Sequence, residues 1–313
     1  MNKEKNFVSA VIYVHNAEHR VADFVDSVIA ILQENFEHSE VICVNDNSSD
    51  GSLEEIRATK ADPARVSLSV VNLSYYHGVE TAMNAGTDLA IGDFVFEFDD
   101  TIMDFPAETV MEVYRKALEG NDIVSAFPAK GEKFTSRMFY KAFEQLSSRS
   151  YHFTSERFRI LSRRVINRIS SMNTMTIYRK AVYANCGLQT ANIRYMASER
   201  EKNRNDREEK KYRTRLAADS LILFTEVGYR FSVTMTVLMM LLSVVMSAYA
   251  LIIYFTAKPV EGWTTTVLFL SLAFFGLFGI LTIVVKYLQL LVDMVFRRRH
   301  YSFSGVEKIT KQG

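Results

Sequence analysis

Two neighbouring carboxylates, Asp99 and Asp100, follow the apolar run FVFEF at 94–98. Adjacent acids at the end of a buried strand suit a divalent cation that bridges two phosphates, since such a pair is costly without a positive partner. A further acid, Asp46, lies in VNDNSSDGS at 44–52, after a second apolar run. There a carboxylate can bind a nucleobase or ribose, or serve as a turn or helix cap. His15-Asn16 and Tyr75-Tyr76-His77-Gly78 close two more such runs. The histidines suit turns as well as base chemistry, and the tyrosines suit packing. From 130 to 168 the chain turns basic, with Lys130, Lys133, Arg137, Lys141, Arg149, Arg157, Arg159, Arg163, Arg164 and Arg168 against Glu132, Glu144 and Glu156. A band of this kind fits a phosphorylated substrate or an anionic leaflet, or else a solvated face. No GxGxxG follows the first apolar run and no P-loop is present, which disfavours dinucleotide dehydrogenases and P-loop kinases. The strand-end acids together favour nucleotide-diphosphate chemistry.

The elements that must position these groups alternate regularly. Short apolar runs at 7–14, 41–44, 66–73, 94–98 and 123–127 predict buried strands. Between them, helical spacing at Val21, Phe24, Val25, Val28, Ile29 and Leu32, and patterns at 53–61, 79–90 and 107–118, predict helices. This βαβα order predicts an α/β domain with a mostly parallel, doubly wound sheet and helices on both faces. Ligands of such sheets bind at the carboxyl ends of the strands, where the polar residues named above stand.

A net charge of +1 over 313 residues gives no general attraction to nucleic acid. Cys43 and Cys186 have no metal-ligand spacing and make no disulfide framework. Residues 1–5 are polar and no apolar leader follows, so the front domain is expected on the cytoplasmic side. Two later runs are long, apolar and uncharged, at 231–255 and from 264, the second ending at Lys286. Each is long enough to cross a hydrocarbon core of about 30 Å. Pro259, Gly262 and Trp263 lie between them, and Lys and Arg flank the pair on both outer sides. The positive-inside rule then predicts a hairpin with both ends cytoplasmic. The expected organisation is a domain at 1–198 with its basic segment at 130–170, juxtamembrane helices at 199–230, spans at 231–255 and 264–292, and a cytoplasmic tail at 293–313.

In order and spacing, these motifs resemble family 2 glycosyltransferases of the GT-A fold. More narrowly, they are similar to the polyprenyl-phosphate glycosyltransferases, the group of dolichol-phosphate mannose synthase. VIYVHNAE at 11–18 resembles the family's VIPVYNEE, VNDNSSDGS its VDDGSTDGT, and SYYHGVETAMNAG at 74–86 its SRNFGKEAALLAG. The segment 92–106 resembles GDYVVFIDADLQHPP, SRMFYK at 136–141 resembles SRLFYR, and FRILSRR at 158–164 resembles FRLLSRR. The resemblance implies transfer of a hexose from a nucleoside-diphosphate sugar to a polyprenyl phosphate at a membrane face, and relatives with this hairpin often form homo-oligomers. It implies that Tyr13, His15, Asn16, Asp46 and Gly78 bind the nucleotide-sugar and that Asp99 and Asp100 act in catalysis. Ser136, Arg137 and Arg159 would hold the acceptor phosphate, and Asp99 would bind a divalent cation, Mg2+ or Mn2+. The chain also departs from the pattern. The family's second DxD acid falls on Thr101 and its following Gln on Met103, a weak hydroxyl donor and a thioether that hard Mg2+ does not choose. Tyr75-Tyr76 replace Arg-Asn, Val79 replaces Lys, Asn45 replaces the first acid of DDGS, and Ala17 replaces Glu. Two other readings keep the fold: a different lipid or lipid-linked glycan acceptor, and a non-catalytic membrane paralogue that binds nucleotide or partner subunits.

Overall fold

The computed structural model describes residues 3–59, 61–129, 156–172, 179–198 and 301–310, with scattered helical positions between 234 and 291. The expected juxtamembrane segment and most of both expected spans lie outside the described residues. No helix among the described residues is long and apolar enough to cross a membrane. The chain divides into two compact units, Met1–Glu144 with Arg149–Ala217 and Arg299–Gly313, and Gln145–Ser148 with Ala218–Arg298. The fold described here is that of the first.

Its front half alternates as the apolar pattern predicts: β1 (Val8–Val14), α1 (Val21–Asn35), β2 (Ser39–Asn45), α2 (Ser52–Ala58), β3 (Val66–Leu73), α3 (Val79–Leu89), β4 (Phe94–Phe98), α4 (Glu108–Leu118) and β5 (Ile123–Pro128). Then follow β6 (Phe158–Ser162), α5 (Arg163–Met172), α6 (Arg179–Asn185), β7 (Thr190–Tyr195) and, far along the chain, β8 (Phe303–Lys308). β1 sends Ala10, Ile12 and Val14 into a core with α1 and α4, and Val11 into a second core with α3 and α5. A strand covered on both faces has no polar side to show, which is why VSAVIYV is almost continuously apolar. At Gly86, α3 lies so close to the sheet that a Cβ would stand 2.4 Å from Val11 Cγ1 and 2.6 Å from Val44 Cγ2. Only glycine permits that approach.

The eight strands form one sheet in the order β7-β5-β6-β4-β1-β2-β3-β8. β1 runs parallel to β2 and β4, and β2 parallel to β3, as expected. The flanks differ: β6 enters antiparallel between β4 and β5. Its reversed direction sets Arg159 opposite Glu97 and Phe158 opposite Phe98, beside the carboxyl end of β4. β8 closes the other edge antiparallel to β3. Leu68 N–H donates to Thr310 Oγ1 at 2.9 Å, and Arg57 pairs with Glu307 at 2.8 Å. The expected tail is thus partly an edge strand, whose alternating exposed and half-buried residues suit a solvent-facing border.

Candidate active site

Val14 pairs with Asn45, Asn45 with Asn72, and Ile12 with Phe98, so β1 to β4 end along one edge. The chain leaves that edge through unusual backbone. Asn16 has φ 47° and Asn47 φ 53°, a left-handed conformation that Asn tolerates better than most residues. Gly78, at φ 84° and ψ 159°, occupies a region essentially reserved for glycine.

Asp46 organises these exits. Its carboxylate is fully buried; Oδ1 accepts the His77 N–H at 2.8 Å, and Oδ2 accepts the Gly78 N–H at 2.8 Å and the Tyr13 hydroxyl at 3.1 Å. His15 Nδ1 donates to the Asp46 carbonyl at 2.8 Å, an oxygen that only accepts, so Nδ1 carries the proton. The Asn16 N–H donates to Ser48 Oγ at 3.1 Å, and Asn16 Oδ1 accepts the Ser49 N–H at 2.9 Å. Burial pushes the Asp46 carboxyl above its ordinary value, against the pull of the His77 and Gly78 amides and the Tyr13 hydroxyl. All five residues expected at the nucleotide-sugar therefore meet in one network. Within it the Asp46 side chain holds the β3–α3 turn, while the exposed Tyr75 ring, stacked 4.0 Å from His77, and Tyr76, 4.6 Å from His15, flank it.

A second cluster lies at the end of β4. Asp99 Oδ2 accepts from Arg159 Nη2 at 2.6 Å and Oδ1 from Arg179 Nη2 at 2.5 Å, while about a fifth of its side chain stays exposed (21%). Both guanidiniums are fully buried. Arg159 also donates to Glu97 at 2.8 Å and Glu156 at 2.9 Å. Arg179 donates to Glu80 at 3.1 Å, and its Nη1 lies 2.9 Å from Glu97 without hydrogen-bond alignment. Glu97 further accepts the hydroxyls of Tyr183 at 2.9 Å and Thr87 at 3.1 Å. Burial alone would raise the Asp99 carboxyl, but Arg159 and Arg179, with Lys180 adding to them, hold it well below the usual carboxylate range. Asp99 is ionised at any working pH.

Arg159, expected at the acceptor phosphate, is instead enclosed with three of its nitrogens bonded to carboxylates, so it presents no free face to a substrate. Asp100 accepts the Thr101 N–H at 2.7 Å and lies 3.6 Å from Arg157. Ser136 and Arg137 lie outside the described residues. Arg179, Glu80 and Glu97 were absent from the expected set. The signal for Glu97 was an acid within FVFEF, a buried charge that requires a cationic partner.

The donor set at this strand end does not fit a divalent cation. Both Asp99 oxygens face guanidiniums, the Thr101 side chain is buried, and Met103 packs against the core. Asp104 is buried and bonded to Arg157 and Tyr195 at 2.8 and 2.9 Å. Among the described residues, Asp99 belongs to no group of three or more converging donors. Among the described residues, the three-ligand cluster with converging donor atoms is Glu18, His19 and Glu55, at the surface.

The chain is similar to an uncharacterized glycosyltransferase of Synechocystis sp., at 31% identity over 183 residues covering 56% of this chain and 57% of the relative. It is similar to a bactoprenol glucosyl transferase of Shigella phage SfV, at 28% identity over 200 residues covering 62% and 64%. It thus spans less than two thirds of the length of these curated relatives. Among solved structures, a mannosyltransferase from Pyrobaculum calidifontis in complex with GDP-Man and Mn2+ superposes with a TM-score of 0.51 at 16% identity, covering 70% of this chain and 63% of that one. That likeness supports the α/β GT-A-like architecture traced above. The family model for glycosyl transferase family 2 matches residues 9–187, from the second residue of β1 to just past α6, and the chain belongs to that family.

Proposed function

We propose that the protein transfers a hexose from a nucleoside-diphosphate sugar to a polyprenyl phosphate at the cytoplasmic face of a membrane, for cell-envelope polysaccharide. The observation that carries this reading is the shared strand edge. There the Asp46-centred turns, after β1, β2 and β3, and the Asp99–arginine cluster, after β4 on the other side of β1, share one edge, where a nucleotide and its diphosphate would lie side by side. In the transfer, a phosphate oxygen of the lipid attacks the anomeric carbon. The bond from that carbon to the diphosphate oxygen breaks, and the electron pair leaves with the nucleoside diphosphate. A single displacement inverts the anomeric centre. The lipid phosphate is already ionised at neutral pH, so no strong general base is needed, and rate rests on positioning and charge stabilisation. Arg137 and the aromatic–basic segment around it are assigned to the acceptor phosphate.

The acceptor class is supported by the bactoprenol glucosyl transferase relatives and by an undecaprenyl-phosphate 4-deoxy-4-formamido-L-arabinose transferase of Pectobacterium carotovorum, 30% identical over 122 residues. The membrane placement is supported by two features. Leu238, Leu241 and Val245, and likewise Leu277, Leu281, Val284, Leu288 and Leu291, follow helical spacing yet are half or more exposed, or nearly so. Apolar stripes of this length suit lipid. In addition, β8 returns to the sheet that holds β1–β7, which supports a reading in which both ends of an intervening hairpin face the same side. The test is incubation of membranes containing the protein with radiolabelled nucleotide-sugars and undecaprenyl phosphate. Label in the organic extract, from one donor, is expected. Absence of transfer across the donor panel favours the non-catalytic paralogue, and label in another lipid gives a different acceptor.

A further inference from the structure

We propose that Arg157, rather than a divalent cation, supplies the positive charge that faces the donor diphosphate at the end of β4. The inference rests on the nucleotide-sugar reading and deepens it. Arg157 immediately precedes β6, whose antiparallel entry brings it beside the β4 exit. Its Nε donates to Asp104 at 2.8 Å and its Nη1 lies 3.6 Å from Asp100, so the side chain is fixed by the acids that follow β4. Its Nη2 is buried and makes no well-aligned hydrogen bond, the Tyr195 hydroxyl being the neutral group beside the guanidinium. A buried guanidinium N–H without a well-aligned acceptor is costly, and a phosphate oxygen is the acceptor such a group fits best. Arg159 and Arg179 do not compete for this task, because only 1% of each side chain is exposed, against 14% of Arg157. Asp99 then acts as a positioning residue that anchors the two of them, not as a metal ligand. A dication placed at Asp99 would meet two guanidiniums, and Met103 packs against the core. Among the described residues the donor set expected of a cation site is not assembled at Asp99, and a fixed guanidinium stands beside its place.

The experiment measures binding of UDP, GDP, ADP, CDP and dTDP, and of the matching nucleosides, to the full-length protein in detergent. Each titration is run in EDTA and in Mn2+, with thermal shift and calorimetry as readouts. One diphosphate is expected to bind equally well in both media. Arg157→Gln should weaken that diphosphate by about tenfold or more while leaving the nucleoside's affinity unchanged, and Arg157→Lys should recover part of the loss. The nucleoside control separates a phosphate contact from general damage, since a misfolded site loses both. A parallel Mn2+ titration read by electron paramagnetic resonance covers the case in which Arg157→Gln fails to fold. Protein with the diphosphate should then hold Mn2+ no tighter than the diphosphate alone. The inference is overturned if Mn2+ strengthens diphosphate binding by about tenfold or more in the native protein, or if Arg157→Gln lowers both affinities equally. If no nucleoside diphosphate binds in either medium, the nucleotide-sugar reading falls and takes the inference with it.

Discussion

Replacing Arg159 by Met separates the two roles open to that residue. The guanidinium is enclosed, and its Nε, Nη1 and Nη2 donate to Glu156, Glu97 and Asp99 at 2.9, 2.8 and 2.6 Å. Arg159→Met keeps an unbranched apolar stem but leaves Glu80, Glu97, Asp99 and Glu156 with Arg179 as the remaining arginine among them. Breaking a buried pair by removing one partner costs about 3–5 kcal/mol. For a domain of this size that is a fall in Tm of roughly 6–20 °C. The pH dependence gives a second signature. In the native protein the Asp99 carboxyl lies below its usual range, so its stabilisation is present above the unfolded value and is lost only as pH falls through the folded one. Without Arg159, the first of the groups that lower it, burial pushes the carboxyl up. The variant's cluster then gains a proton at higher pH than the native one does. Its deficit should be widest above about pH 7 and narrow towards about pH 5. Thermal unfolding by circular dichroism across that range reads both effects. A variant that melts within about 2 °C of the native protein and shows only a raised KM for the acceptor would refute the buried-cluster account and return Arg159 to the acceptor phosphate.

Three further outcomes follow from the packing. Gly86→Ala should lower stability by about 1–3 kcal/mol despite alanine's better helix propensity, because its Cβ would press into buried Val11 and Val44; a rise in Tm contradicts the close approach of α3. Asp46→Asn should cost about 1–3 kcal/mol and also weaken nucleotide binding, since an amide cannot accept on both sides from His77 and Gly78; weaker binding with unchanged Tm would place Asp46 on the nucleotide itself. Deleting 301–313 should lower Tm and promote aggregation, read by light scattering, because it uncovers the β3 edge and removes the Ser302 N–H bond to His77; unchanged behaviour would make β8 dispensable.

The nine elements from β1 to β5 were legible because each buried strand is an apolar run and each connection carries Asn, Asp, Ser or Gly. The grouping of Tyr13, His15, Asn16, Asp46 and Gly78 was legible for a related reason: parallel strands joined by helices put all their exits on one edge. The later strands were not. FRILS carries no local sign that it runs antiparallel, and FSGVEK pairs with a strand more than two hundred residues earlier in the chain, an association set by an open sheet edge rather than by its own pattern. The arginine cluster depends on that same tertiary placement. Glu97 announced a buried charge within its strand, but only the β4–β6 register names Arg159 as its partner. Nothing near Arg179 in sequence connects it with Asp99.

The central claim, that a sugar passes to a lipid phosphate, is tested most directly by mass spectrometry of lipids extracted from cells with and without the intact protein. The account predicts a polyprenyl phosphate carrying one hexosyl group that is present with the protein and missing without it. Identical polyprenyl-phosphate pools in the two extracts, with a nucleotide-sugar supply confirmed in both, would contradict it.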